Sequence, residues 1–136
     1  MRRVGELHLW IGNARDKRDV NQLHARGVEA VVDLAHEELP VGLPRELAYL
    51  RFPLSDDEGD EPDFLRHAIA CVERLIRDEV PTLVACSAGT SRSPTVVAAA
   101  LASIRGTRAI DEAVKLPSPL DLSPGLWKRI AGMGIG

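Results

Sequence analysis

The sequence predicts an α/β domain with a central, largely parallel sheet of four to five strands flanked by helices and a strand-loop-helix phosphate site. Three observations carry that expectation. Apolar, β-branched runs alternate with stretches of helical periodicity, the pattern of strand-helix-strand units. A cluster of small and polar residues, Ser87-Ala88-Gly89-Thr90-Ser91, separates a strand-like run from an alanine-rich helix-like one. A length of 136 residues with 45% hydrophobic content fits one packed core, so residues 1-136 are expected to form a single domain.

Leu7-His8-Leu9-Trp10-Ile11-Gly12 alternates apolar residues and ends at glycine, reading as a short strand that leaves into a turn. Val20 and Leu23 mark a helix from roughly Asp16 to Arg26 that stops at Gly27. Val28 to Leu34 is apolar enough for a buried strand, and Ala48, Leu50 and Phe52 set one face of a third strand, Leu47 to Phe52, closed by Pro53. After the acidic run Asp56 to Asp63, with Pro62 suited to a first helical turn, the residues Phe64, Leu65, Ala68, Val72, Leu75 and Ile76 recur at helical spacing. Thr82-Leu83-Val84-Ala85 reads as a central strand buried on both faces, which delivers Cys86 to its C-terminal end. A helix from Ser93 to about Arg105 follows, then shorter helices around Arg108 to Lys115 and Pro124 to Ala131.

Composition excludes several classes. The net charge of -3 argues against a general nucleic-acid binder, which needs clustered Lys and Arg. No apolar run approaches the roughly 20 residues of a membrane span, and the start lacks a signal-peptide segment, so the expectation is a cytoplasmic protein with no membrane partner. Cys71 and Cys86 are the only cysteines, too few for a disulfide framework and without a zinc-type CxxC pair.

The chemistry gathers at Cys86 to Arg92. A strand that turns directly into a helix aims backbone N–H groups and the positive end of the helix dipole at the loop's occupant, and an anion is the natural one. Five residues separate Cys86 from Arg92, room for the amides of Ser87, Ala88, Gly89, Thr90 and Ser91 to ring a phosphate while Arg92 contacts two of its oxygens. The same groups favour the thiolate, lowering the cysteine pKa from a free value of roughly 8.5. Gly89 allows the close turn, and the Ser93 hydroxyl could hydrogen-bond the sulfur as it leaves a thiophosphate. A lone buried cysteine in an ordinary turn is the bland alternative, which the CxxGxxRS spacing at a strand-to-helix junction disfavours.

With that loop the sequence resembles the dual-specificity branch of the protein tyrosine phosphatase superfamily, whose signature is a cysteine, five residues, then arginine and serine or threonine. The resemblance extends to Leu9-Trp10-Ile11-Gly12-Asn13-Ala14, to Gly27 through Leu34, and to Ser123-Pro124-Gly125-Leu126-Trp127. It implies a cysteine-dependent phosphomonoester hydrolase that needs no metal or other cofactor and acts on a phosphorylated protein or small phosphomonoester. It also implies a general acid about 30 residues before the cysteine, which Pro53-Leu54-Ser55-Asp56 matches best, with Asp57 as runner-up and Glu58 and Asp60 behind. The sequence departs from the family at Ala85, where histidine usually precedes the cysteine, so either a compensating contact or a higher thiol pKa is expected there.

Other reactive residues read as packing. Cys71 shares a helical face with Phe64, Ala68 and Leu75, with a resolving thiol as the minor alternative. His8, His24, His36 and His67 show no zinc-ligand spacing, and Trp10 and Trp127 fit a core. Two functions of other classes compete with hydrolysis: a non-catalytic binder of phosphorylated residues, favoured by Ala85, and a rhodanese-like sulfurtransferase, disfavoured because its loop is typically one residue shorter.

Overall fold

A computed structural model describes residues 1–55, 64–117, 121 and 123–134. Along these residues run β1 (Arg2–Arg3), β2 (Leu9–Gly12), a 3-10 turn (Asp16–Arg18), α1 (Val20–Ala25), β3 (Ala30–Ala35), β4 (Ala48–Leu54), α2 (Phe64–Arg77), β5 (Thr82–Ala85), α3 (Arg92–Arg105), α4 (Ala109–Ala113) and α5 (Pro124–Ala131). The strands form one five-stranded sheet in the order β1-β2-β5-β3-β4. Pairing is parallel from β2 through β4, and only β1 lies antiparallel to its neighbour. This is the α/β architecture expected from the sequence.

Parallel strands joined by helices must be covered on both faces, and β2, β3 and β5 are buried throughout. One face carries Leu9, Ile11, Val32, Leu34 and Val84 against α2, α3 and α5, where Leu65, Ala68, Ile69 and Val72 form the apolar stripe of α2. The other carries Trp10, Val31, Leu83 and Ala85 with Leu23 and Val28. The sequence of α3 is buried from Arg92 through Ala102, and its small alanines let it lie close to the sheet.

Several elements differ from the sequence reading, and β2 and β3 each begin two residues later than expected, at Leu9 and Ala30. The helix expected from Asp16 to Arg26 is a 3-10 turn and a separate α1, because Asp19 leaves helical geometry (φ -88°, ψ 81°) to cap α1, accepting the Gln22 N–H at 3.1 Å. Pro53 does not close the third strand, which continues to Leu54; β4 is an edge strand, where a missing N–H is tolerated. β1 was not expected, since two residues carry no periodicity. α4 is shorter than predicted, Ala109–Ala113.

Candidate active site

The C-terminal ends of β2, β5 and β3 lie side by side, and in open α/β sheets that edge is where ligands bind. Gly12, Ala85 and Asp33 are level across the three strands, so the residues just beyond them converge. Cys86 follows Ala85 at the tip of the central strand and is almost wholly buried, with 1% exposure. The loop after it runs directly into α3, whose first residue is Arg92.

The loop carbonyls are occupied from outside. Ser87 O accepts from Ala14 N at 3.0 Å, Thr90 O from Asp121 N at 2.7 Å and Ser91 O from Thr95 N at 3.0 Å. Gly89 O accepts from Arg2 Nη2 at 2.6 Å, and Arg2 also reaches Pro117 O. A trans peptide points its N–H opposite its carbonyl, so these outward carbonyls turn the following amides inward. The Gly89 N–H itself donates to Cys86 Sγ at 3.2 Å. Four loop carbonyls are thus held, by Arg2, by the turn after β2, by Asp121 and by the first turn of α3.

Gly89 is required here on two grounds. Its φ is +75°, and a Cβ at this position would meet Gly12 O at 2.8 Å. The turn beneath is equally fixed: Asn13 Oδ1 accepts from Arg15 N and Asp16 N, Asp16 Oδ2 accepts from Asn13 N, and Gly12 O accepts from Cys86 N at 3.2 Å.

Arg92 is buried, and its guanidinium faces β3 and β4 rather than solvent. Nη1 and Nη2 donate to the two carboxylate oxygens of Glu37 at 2.6 and 2.8 Å, and Nη1 also donates to Leu54 O at 2.9 Å. Glu38 accepts the Ser87 hydroxyl at 2.9 Å and an Arg18 N–H at 3.3 Å. A register shift in the β3–β4 pairing between Asp33 and Ala35 redirects the chain into this corner, and Arg51 Nη2 holds it by donating to Glu38 O at 3.1 Å. The Arg92 contact holds the Glu37 carboxyl down at about 2, against an ordinary 4.5. Hydrogen bonds from Ser87 and Arg18 lower Glu38 as well.

Of the site residues the sequence singled out, Cys86, Ser87, Ala88, Gly89, Thr90, Ser91 and Arg92 come together in this loop. Ser93 is fully buried, but its Oγ makes no hydrogen bond to Cys86; the sulfur's donor is Gly89 N–H, and Ser93 Oγ has no partner among the described residues. Asp56, Asp57, Glu58 and Asp60 lie outside the described residues, and Leu54 O, two positions before Asp56, is bonded to Arg92. Cys71 packs on the core half-buried, and burial pushes its thiol pKa up. Glu37, Glu38 and Arg2 were missed; a pair of carboxylates directly after a buried central strand was the available signal for the first two.

Fold and site together define a class: an α/β domain in which a cysteine and an arginine close a loop that joins the tip of the central parallel strand to a helix. Residues 9–116 match the dual specificity phosphatase catalytic domain, and the chain belongs to that family. Dual specificity phosphatase 28 of Mus musculus is 33% identical over 129 residues, covering 90% of this chain and 77% of the relative. Dual specificity protein phosphatase 15 of Homo sapiens is 29% identical over 132 residues, 93% of this chain but 43% of the relative, so the chain spans less than half of that protein's length. Among solved structures, human DUSP28 superposes with a TM-score of 0.77 at 27% identity, covering 92% of this chain and 90% of that one. The crystal structure of DUSP15 gives 0.79 at 27% identity, covering 98% and 86%.

Proposed function

We propose that the chain is a cysteine-dependent phosphomonoester hydrolase acting on phosphorylated protein residues through a thiophosphate intermediate. The observation that carries this is the Cys86 sulfur under the Gly89 N–H, in a loop whose carbonyls are turned out and whose Arg92 is oriented by Glu37. Cys86 attacks phosphorus, breaking the bond to the leaving oxygen, while Arg92 and the amides of Ser87 to Ser91 stabilise the transferring group. Asp56, or Asp57 in its place, protonates the departing oxygen. Water then attacks the thiophosphate, releasing phosphate and returning the thiolate, with the buried Ser93 hydroxyl available to donate to sulfur as it leaves.

A mouse protein of this fold, 27% identical with a TM-score of 0.77, was crystallised in complex with zinc tungstate, whose tungstate is an oxyanion of the kind this loop suits. The loop side chains of Ser87, Ala88, Thr90 and Ser91 are neutral, and Glu37 and Glu38 stand beside them, which favours a phosphoprotein or simple monoester over a polyphosphorylated lipid. Membership of the phosphatase family removes the ground for a sulfurtransferase. Among the described residues no helix is long and apolar enough to cross a membrane. A cytoplasmic setting, with neither nucleic acid nor membrane as partner, completes the reading.

Turnover of an aryl phosphate by the whole chain tests it. Activity that survives a chelator and vanishes in Cys86→Ser is the expected result. Tungstate binding without turnover of any phosphoester would sink hydrolysis and mark the chain as a phosphoresidue binder.

A further inference from the structure

Beneath the phosphate loop lies a buried charged cluster that the proposed chemistry does not use. Lys17 and Asp33 have 0% side-chain exposure, and Lys17 Nζ donates to the two carboxylate oxygens at 2.9 and 3.0 Å. Asp33 Oδ1 also accepts the Ala35 N–H at 3.2 Å, and Oδ2 accepts the Tyr49 hydroxyl. Apolar residues of similar volume commonly stabilise a core as well as a buried ion pair does, so stability alone is a weak reason for this one.

Strand register fixes where the pair lies. Gly12, Ala85 and Asp33 are level on β2, β5 and β3, and level residues on neighbouring strands project from the same sheet face. Lys17 stands on the turn that follows β2, whereas Asp33 stands on β3, with β5 between them. The Lys17 turn packs against β5, and Asp33 is level with Ala85 on the neighbouring strand about 4.8 Å away, which places the pair across β5 beside Ala85. The methyl group of Ala85 leaves the path across β5 open, at the position where the family usually has histidine and immediately before the nucleophile.

The two ends of the pair belong to the two walls of the loop. The Lys17 turn supplies Gly12 O to the Cys86 N–H and Ala14 N–H to Ser87 O. The Asp33 strand leads within five residues to Glu37 and Glu38, which hold Arg92 and the Ser87 hydroxyl. We propose that Lys17 and Asp33, joined beneath Ala85, are the positioning residues of the phosphate loop, tying together the walls that hold its cysteine and arginine ends. The inference rests on Cys86 to Arg92 being the oxyanion site.

Calorimetric binding of tungstate, with kcat and KM on an aryl phosphate, tests it in the whole chain. Lys17→Met/Asp33→Asn removes both charges while keeping volume and an acceptor for Tyr49 and Ala35. The expected result is a thermal midpoint within about 5 °C of the parent, with tungstate affinity and kcat each lowered about ten-fold or more, because small displacements of an oxyanion cradle are costly. A second pair probes the crossing: Lys17→Ala loses tungstate affinity, and Ala85→His added to it, filling the vacated path, recovers most of the loss. A folded double variant within about two-fold of the parent in both readouts overturns the proposal. So does a double variant that unfolds, since the pair is then a stability element, or a folded Lys17→Ala/Ala85→His that recovers nothing. A parent that binds tungstate without turnover sinks only hydrolysis; a parent that binds none sinks the site and this inference together.

Discussion

Two ion pairs flank the loop from Cys86 to Arg92, and their surroundings are opposite. In the Glu37–Arg92 pair the arginine is buried while the carboxylate is 45% exposed at the mouth of the site. In the Lys17–Asp33 pair neither side chain meets solvent. The exposed carboxylate can turn to water and yield its place on the guanidinium to an arriving anion, so the pair at the mouth aims its guanidinium without locking it. The buried pair has no such partner available, and breaking it leaves a bare charge in the core. In the proposed mechanism one pair serves the substrate, and the other serves the frame that meets the substrate.

The contrast is broken most severely at Arg92. Arg92→Lys keeps the charge but loses the planar fork that can hold Glu37 and a phosphate together, and kcat should fall by about 10²- to 10³-fold in a steady-state assay. Lys17→Met alone strands Asp33 and should cost about 3–5 kcal/mol in urea unfolding, far more than any change at Glu37. An equal loss of stability from Glu37→Gln would erase the distinction between the pairs.

Acid sharpens the same comparison. Because Arg92 holds Glu37 at about 2, against 4.5 ordinarily, the carboxylate's contribution to stability is fully present above about pH 4.5 and is lost as pH falls towards 2. The gap in unfolding free energy between the parent and Glu37→Gln should therefore close across that window, with solvent screening of the half-exposed carboxylate keeping it small. A gap that stays constant from pH 6 to pH 3 would contradict the assignment. The smallest effect belongs to Glu38→Gln, which loosens one hydroxyl contact and an exposed ion pair; kcat/KM should fall only about two- to three-fold, less at high salt.

The sequence made the strand-loop-helix junction legible because its signal is local: Cys86, Gly89, Arg92 and Ser93 stand at fixed spacing between an apolar strand and a helix. The central strands were readable for the same reason, each being a short apolar run. What escaped depends on contacts between distant segments. Lys17 looks like a solvated lysine until β3 is placed two strands away, although an aspartate within the buried run from Val28 to Leu34 was already a charge in need of a partner. Glu37 and Glu38 look repulsive to a phosphate until Arg92 and Ser87 are seen to hold them. Arg2 acts through a strand of two residues, too short to announce itself.

The depressed carboxyls of Glu37 and Glu38 also settle the proton inventory on their side of the loop. Both are ionised at neutral pH, so neither has a proton to give to a departing oxygen. That proton has to arrive from elsewhere, which is the part proposed for Asp56. A nitrophenolate departs readily without help and would conceal the loss of an acid, whereas an alkyl phosphate, whose alkoxide must be protonated as it leaves, would expose it. Choosing between those two substrates therefore decides whether an assay reports on the cradle or on the acid.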